Sequence, residues 1–463
     1  MIDSRLRRLV AGSPHYIEIR YHNRRSRSLG IRKGTPIELA SKHTEGVGIR
    51  VLFNGAWGFA ATSDMGEAAL ERSLRSAFEG ARRLSELRRH RSALAETDRL
   101  ATGEFELPGY SELLSIPLSE HRETVEDAER RLRSSSKSID TAQCQYTEVF
   151  EEKFIVTSDG ADVWLRLVRP ELRFLAFAKD GSKMSRGYDS VGATGGWQCM
   201  FQNRSLDRYI ETAAASAVDL LAAAAPEGGR KKVILAPAMV GLLAHEAIGH
   251  TVEADFVISG SVARDLLGQQ VASEKVTLCD SGRSEHAPYA GGELPVDDEG
   301  VYADRTVLIE KGKLVGYLHS RETAKQFGVK PTGNARAWEF SDEPLIRMRN
   351  TYVEPGTDDL NDMIAGIEDG FYVDGPEGGQ ADATGEFMFG ASRVRRIKNG
   401  KLAEVVQKVT LSGNAFDVLR SVDAVSSDFK WDLGSGHCGK GQPAKVDAGG
   451  PFLRCEILVG GEA

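Results

Sequence analysis

Residues 243–250, LAHEAIGH, carry the side chains best suited to catalysis in this sequence. Two histidines enclose a glutamate, a set that can supply two metal ligands and a general base in a metal-dependent hydrolase. In the familiar zinc-protease motif the histidines are one helical turn apart, so both face one ion. His245 and His250 are five residues apart, and five steps along a regular α-helix turn the second side chain by about 140° from the first. A regular helix would therefore not direct both imidazoles at one metal.

Gly249 offers a way to bring the two histidines together. A helix widened locally into a π-turn, or broken at this glycine, would swing His250 back towards His245. The other interpretation is two unrelated histidines on a buried helix, with Glu246 an ordinary carboxylate on the helix surface. Glu253 follows three residues after His250. It is a candidate metal ligand or hydrogen-bond partner of a ligand, with a surface position as the alternative.

A second candidate segment is the glycine-rich run GSGHCGKG, residues 434–441. It resembles a phosphate-binding loop, but Gly441 stands where such a loop needs a serine or threonine, and the residues that follow are turn-rich rather than helical. The alternative is that the glycines let the backbone approach a site closely and present Cys438 as a thiolate ligand. His437 could also be a ligand, but adjacent side chains seldom reach the same ion, so we expect a structural role.

Strands and helices predicted in the first half of the chain indicate an α+β arrangement without regular βαβ alternation. Apolar residues at every second position from Val47 to Phe53 predict a strand, and Asn54-Gly55 predicts the hairpin turn that ends it. Helical spacing of apolar residues follows as far as Leu84. Residues 119–136 and 209–225 read as two further helices, with strand-like runs between them.

The second half begins where residues 226–229, PEGG, interrupt the helical pattern. A short strand and a helix with Pro237 in its first turn come next, and this helix carries the two histidines. Beyond it the sequence is rich in glycine and short strands, with a strong hairpin signal at Asn399-Gly400. We therefore predict two domains: an amino-terminal α+β domain, residues 1–226, and a strand-rich carboxyl-terminal domain, residues 229–463, that carries the metal-site helix.

Composition limits the classes of function. The 463 residues are 41% hydrophobic and 27% charged, which is typical of a globular protein. The net charge of −8 argues against broad contact with nucleic acid or an anionic membrane. We see no membrane-spanning segment and no signal-peptide core. The five cysteines include no CxxC pair. We therefore expect a cytoplasmic protein whose cysteines are reduced.

Five segments, taken in order, resemble the TldD/PmbA family, whose members are also called modulators of DNA gyrase. They are HEAIGHTVEADF, VDDEG, PTGNAR, GGQADATGEFMF and GHCGKGQP. The resemblance covers essentially the whole chain. The His-Glu-x-x-x-His string together with the late cysteine loop is specific to the TldD branch, because the PmbA (TldE) branch shares the fold but lacks the metal motif.

The resemblance implies a two-domain TldD/PmbA-like fold and a zinc peptidase that acts on peptides and unfolded proteins. It implies that His245, His250 and Cys438 hold the zinc ion and that Glu246 is catalytic. It also implies a dimer, either with a PmbA/TldE-like subunit or with a second copy of the chain.

Two other functions compete with the peptidase. The first is a non-catalytic binding or regulatory subunit of such a complex, although the intact metal motif favours an enzyme. The second is direct modulation of gyrase, to which the charge of −8 gives no support. If the chain is a peptidase, its strand-rich second half and glycine clusters such as Gly378-Gly379 predict that an extended peptide binds as an added strand.

Overall fold

The structure, a computed structural model, describes residues 2–87 and 90–461. Its α-helices are α1 (Ile2–Val10), α2 (Glu67–Leu87), α3 (Tyr110–Ser115), α4 (Leu118–Ser134), α5 (Leu206–Ala222), α6 (Pro237–Leu242), α7 (Ala254–Ile258), α8 (Arg321–Phe327), α9 (Leu360–Ala365) and α10 (Ala415–Arg420). A π-helical turn, Leu243–Gly249, continues α6, and 3-10 turns occupy Trp197–Phe201, His250–Val252 and Val262–Asp265.

The first half of the chain builds one seven-stranded sheet. Its strands are β1 (Tyr16–Arg32), β2 (Thr35–Phe53), β3 (Ala56–Thr62), β4 (Thr102–Glu106), β5 (Ile139–Thr157), β6 (Asp162–Asp180) and β7 (Lys183–Gly192). They pair in the order β3-β2-β1-β5-β6-β4, and β7 also pairs with β6. Helix α2 packs on β2 and β3, α4 on β1 and β5, and α5 on β6 and β7, so each helix buries its apolar stripe against this sheet.

The second half contains shorter strands. They are β8 (Gly229–Leu235), β9 (Leu278–Ser281), β10 (Thr306–Glu310), β11 (Lys313–Leu314), β12 (Ala335–Arg336), β13 (Leu345–Ile346), β14 (Asn350–Val353), β15 (Asp369–Ala381), β16 (Glu386–Lys398), β17 (Lys401–Val406), β18 (Val409–Asn414), β19 (Ala424–Val425), β20 (Lys430–Trp431), β21 (His437–Lys440), β22 (Gln442–Lys445), β23 (Asp447–Gly450) and β24 (Leu453–Gly461). This half is strand-rich, as predicted.

Two sheets of the second half surround the helix that carries the histidines. In one of them, β15, β8, β24, β18 and β16 pair in that order, and β16 pairs back with β15, so the sheet closes on itself. In the other, the order is β11-β10-β9-β14-β23-β20. Helix α6 contacts β15 and β23, and the π-turn contacts β14 and β15. The largest apolar core of the described residues lies around this helix, which holds the π-turn in a fixed position.

The predicted α+β fold class is confirmed, and so are the hairpins. Asn54 and Gly55 connect β2 to β3 with φ of +46° and +78°, and Asn399 and Gly400 connect β16 to β17 with φ of +48° and +72°. Two consecutive residues with positive φ are what the tightest hairpin turn requires, and asparagine and glycine tolerate that conformation best. The helices predicted at 119–136 and 209–225 are α4 and α5.

The two halves meet through buried charged groups rather than apolar surface alone. Lys153 Nζ on β5 donates to Asp298 Oδ1 at 2.9 Å, and Arg50 on β2 pairs with Glu299 at 3.1 Å. The strands of the first sheet all precede residue 193, and those of the other sheets follow residue 228. The division into domains at 226–229 stays a prediction. Within the described residues, no helix combines the length and apolar composition needed to cross a bilayer.

Candidate metal centre

The local widening predicted for the histidine helix is present. Leu243–Gly249 is a π-helix, and the backbone N–H of His250 donates to the carbonyl oxygen of His245, a hydrogen bond across five residues. His250 therefore lies one turn above His245 instead of on the opposite face. The two ring centroids are 5.3 Å apart, with the rings at 84°. The five-residue spacing brings two imidazoles together because the helix is not a regular α-helix here.

Gly249 is required by space and not by backbone conformation. Its φ of −53° and ψ of −48° are ordinary helical values. A Cβ at this position would lie 1.9 Å from Met348 Sδ, far inside any allowed contact. Met348 lies two residues before β14, so the glycine lets the π-turn pack directly on the sheet beneath it. A larger residue here would force either the buried Met348 side chain or the π-turn to move.

Cys438 reaches the histidines from a β-hairpin. Strands β21 and β22 pair through a turn at Gly441, whose φ is +71°. The Sγ of Cys438 lies 3.1 Å from His250 Nε2. The candidate ligand atoms of His245, His250 and Cys438 all lie within 4.8 Å of one another. Because a strand and not a helix follows the glycines, the interpretation as a phosphate-binding loop is wrong.

The hairpin is attached to the rest of the domain by a buried arginine. Arg347 Nη2 donates to the carbonyl oxygen of Cys438 at 2.7 Å, and Nη1 donates to that of Gln442 at 2.6 Å. The side chain of Gln442 in turn accepts from the backbone N–H of Trp338 at 2.7 Å. These bonds fix both strands of the hairpin, so the position of the Cys438 thiol does not depend on a free loop.

A buried carboxylate orients the imidazole of His250. Its Nδ1 lies 3.0 Å from Glu253 Oε2, and because a carboxylate only accepts, Nδ1–H is the donor. In the neutral ring, Nε2 then keeps its lone pair on the side of Cys438. Glu253 is fully buried and also accepts from Lys440 Nζ at 3.1 Å. Lys440 pairs with Asp255 as well, at 2.7 Å. Glu253 is thus a hydrogen-bond partner of His250 and not a member of the three-atom cluster.

The chemistry of the cluster fits a metal ion. His245 is only 4% exposed, and neither of its ring nitrogens has a hydrogen-bond partner in the described part of the chain. Buried polar atoms normally find a partner, and a bound ion would supply it. Burial alone would raise the pKa of the Cys438 thiol, but the imidazoles of His245 and His250 outweigh it and lower this pKa to about 4. Two imidazoles and a thiolate form a donor set that suits zinc.

Glu246 lies beside the cluster and at the edge of a cavity. Its Oε2 is 3.7 Å from His250 Nε2, and its side chain is 28% exposed. The cavity, of about 310 Å³, is also lined by Phe256, by Lys440 and by residues 379–383. The carboxylate therefore has access both to the cluster and to the space where a substrate would lie.

One wall of this cavity is an open strand edge. In β15, residues 379–381 pair on one side with Phe387–Phe389 of β16. On the other side β8 pairs only with Gly370–Val373 of β15. In the described residues no strand continues along that second edge beyond Val373. Backbone groups of residues 379–381 are therefore available to a further extended chain.

His437 lies away from the cluster. Neighbouring residues of a strand point to opposite faces, and His437 packs against Trp338, with ring centroids 5.8 Å apart. Its Nε2 is 3.9 Å from Glu171 Oε1. Burial, helped by the charge of Lys445, lowers the pKa of His437 to about 4. These contacts agree with the structural role that we expected for His437.

Comparisons with known proteins identify the family. Three family models match: PmbA/TldA metallopeptidase domain 1 at residues 17–84, the central domain at 111–221 and the C-terminal domain at 228–461. The chain belongs to the PmbA/TldD metallopeptidase family. A metalloprotease from Methanothermobacter thermautotrophicus is 35% identical over 96% of this chain and 95% of the relative. A zinc metalloprotease TldD homolog from Saccharolobus solfataricus is 29% identical over 90% of each chain.

Solved structures share the fold of this PmbA/TldD protein. TldE from Thermococcus kodakarensis superposes with a TM-score of 0.81 at 18% identity, covering 100% of both chains. A Thermotoga maritima protein described as a candidate modulator of a DNA gyrase gives a TM-score of 0.80 at 21% identity, covering 99% of both chains. The family resemblance drawn from the motifs is therefore confirmed.

Two of the residues that support the cluster, Lys440 and Arg347, carry no signal of that role in the sequence. In the sequence, Lys440 is only the lysine of the glycine-rich run 434–441, yet in the structure it binds Glu253 and Asp255. Arg347 was not singled out, because nothing in an isolated arginine signals that it holds a hairpin nearly a hundred residues away. Glu253, by contrast, is a candidate from the sequence itself, because its three-residue distance from His250 places it within reach on the next turn.

Proposed function

We propose that this PmbA/TldD protein is a zinc-dependent peptidase that cleaves peptides and unfolded protein segments. One observation supports the proposal above all others. The ligand atoms of His245, His250 and Cys438 converge within 4.8 Å, and the carboxylate of Glu246 lies 3.7 Å from one of them. The names of relatives as metalloproteases point in the same direction.

His245, His250 and Cys438 would hold the zinc ion. Three protein ligands are typical of catalytic sites, because the fourth position stays open for water or substrate. When bound, zinc would supply a Lewis acid that polarises the scissile carbonyl and makes water a better nucleophile at neutral pH. Glu253 and Lys440 would keep His250 in the ring orientation that a ligand needs.

Glu246 would act as the general base and then the general acid. Its carboxylate, adjacent in sequence to a ligand and partly exposed to the cavity, would accept a proton from the attacking water. It would then deliver this proton to the leaving amine, so that the peptide bond breaks without releasing an unstable anion. A group in this role usually contributes a factor of about 10² to 10⁴ in rate.

Substrates would bind as an extended strand along the open edge of β15. Main-chain hydrogen bonds to residues 379–381 would give affinity with little dependence on sequence. Phe256, which is 37% exposed and lines the same cavity, would contact an apolar side chain of the substrate. A folded protein cannot present a free strand to such a site, so selection would favour unfolded segments.

We further propose a cytoplasmic dimer, formed with a PmbA/TldE-like subunit or with a second copy of this chain, and no direct role for nucleic acid or membrane. The fold shared with TldE supports a partner of that type. The charge of −8 gives no support to binding of nucleic acid.

A metal-dependent cleavage assay tests the function. The purified full chain, alone and with a PmbA/TldE-like protein, is incubated with an unstructured peptide before and after removal of metal with a chelator. We expect cleavage that stops on chelation and returns with one equivalent of zinc. Absence of cleavage under every condition, with zinc bound, would instead support a non-catalytic subunit.

A further inference from the structure

A second, partly enclosed cavity lies at the junction of the two halves of the chain. It is formed by residues of β5 and β6 on one side, and by residues 336–338 and 443–445 on the other. Its volume is about 20 Å³. Roughly 10–15 Å³ is enough for one water molecule, so the cavity has room for one water molecule or one monatomic ion.

The charged residues that line this cavity are mostly positive. Four of them are basic and one is acidic: Lys153, Arg169, Arg336, Lys445 and Glu151. Three of the four basic groups have a carboxylate partner. Lys153 pairs with Asp298 at 2.9 Å, Lys445 pairs with Glu171 at 2.5 Å, and Arg169 pairs with Glu151.

Arg336 is the exception. It is 7% exposed, and its Nη1 donates to the carbonyl oxygen of Met348 at 2.6 Å. Among the described residues it forms no ion pair, and the nearby acids Asp298 and Glu151 are already paired with other cations. Burial, together with the nearby arginines, lowers the pKa of Arg336 to about 9, which leaves the guanidinium charged at neutral pH.

A buried cation without a counter-charge is costly, because it has lost its hydration and gained no partner. A water molecule in the cavity would accept hydrogen bonds but would leave the positive charge uncompensated. We propose that the cavity binds one monatomic anion of the size of chloride, held by Arg336 and the neighbouring cationic groups. The small volume favours a monatomic anion over the larger sulfate and phosphate.

The position of this site gives the anion a structural consequence. Residues 443–445 belong to β22, and Ala444 pairs across the hairpin with Cys438. The anion would therefore tie the hairpin that carries Cys438 to the first sheet, through Lys153 and Arg169. Loss of the anion would loosen the contact between the halves of the chain without removing any residue from the histidine cluster.

Thermal unfolding of the full chain at constant ionic strength tests the proposal. Sodium gluconate is replaced stepwise by sodium chloride, from none to 100 mM. We expect the Tm of the natural chain to rise by roughly 1–3 °C with a saturable chloride dependence. Arg336→Met, which removes the cation and fills similar volume, should abolish the rise. Arg25→Met removes an exposed cation from β1 and should keep it.

Crystals of the natural chain grown in sodium bromide give a second readout that needs no variant to fold. An anomalous peak in the cavity beside Arg336 is the expected result. A water molecule without anomalous signal at that position would overturn the proposal, and so would a chloride-dependent Tm that survives Arg336→Met. Neither measurement involves peptide cleavage, so the outcome is independent of the proposed peptidase activity.

Discussion

Gly249→Ala is the most informative single change in the histidine helix. The new Cβ would lie 1.9 Å from Met348 Sδ, whereas ordinary contact begins at 3.4 Å, so the two atoms must separate by about 1.5 Å. Overpacking of this kind costs roughly 1–3 kcal/mol, and the helix propensity of alanine over glycine returns about 1 kcal/mol. The expected net loss of stability is therefore about 0–2 kcal/mol, which is too small to prevent folding.

The effect of Gly249→Ala on metal binding should be much larger. Zinc–ligand distances tolerate deviations of only about 0.2 Å. The separation of about 1.5 Å is shared between the Met348 side chain and the π-turn, and even a fraction of it would move His250 out of position. We expect zinc affinity, measured by competition with a chromogenic chelator, to fall at least about tenfold, the effect typical of disturbing a ligand's support.

Two further variants show whether the contact with Met348 is the cause. Gly80→Ala is the matched control. Gly80 lies within α2, and a Cβ there would meet only Gly58 Cα of β3, at an ordinary contact distance of 3.9 Å. It should gain about 0.4–1 kcal/mol of stability and keep its zinc affinity. Met348→Ala in the Gly249→Ala background removes the clashing sulfur and should restore zinc binding. Unchanged zinc affinity in Gly249→Ala would refute the argument that this glycine positions the π-turn, and with it His250, against the sheet.

Three other predictions follow from the site. Cys438→Ser should lose most of its zinc in metal analysis, because a hydroxyl is a poorer ligand than a thiolate; full occupancy would remove Cys438 from the ligand set. Glu253→Gln keeps the shape of the side chain but weakens the hydrogen bond to the Nδ1–H of His250, and should lower zinc affinity about 10–100-fold. An unchanged zinc affinity would mean that Glu253 does not support the ligand. A single protein substrate should be cut much faster after destabilisation than when folded; equal rates at sites within its regular structure would contradict binding along the β15 edge.

The parts of this structure that could be predicted from sequence are those encoded by neighbouring residues. The turn at Asn54-Gly55 depends on two consecutive residues that tolerate positive φ, and the residue types alone indicate that preference. The π-turn was also predictable as a possibility. Once His245 and His250 are assumed to share a metal, their five-residue spacing demands a widened helix, and the adjacent Gly249 indicates where.

Contacts between distant segments could not be predicted without the family resemblance. Cys438 lies 188 residues from His250 along the chain, and no periodicity connects the two. The pairing of Lys440 with Glu253, 187 residues away, is equally invisible. The open edge of β15 depends on where β8 stops pairing, at Val373. The extent of this pairing is set by strand register in three dimensions. The glycine content of the sequence indicates a close backbone approach but not which strand edge is open.

The most direct test of the central claim is a comparison of zinc content and peptide cleavage in Glu246→Gln. Glutamine is nearly isosteric but cannot accept the proton of water, so the variant should fold and bind one zinc while kcat/KM falls about 10²- to 10⁴-fold. Glu211→Gln, which changes an exposed carboxylate in a surface pair on α5, is the control and should cleave normally. Near-normal cleavage by Glu246→Gln at full zinc occupancy would contradict the proposed mechanism.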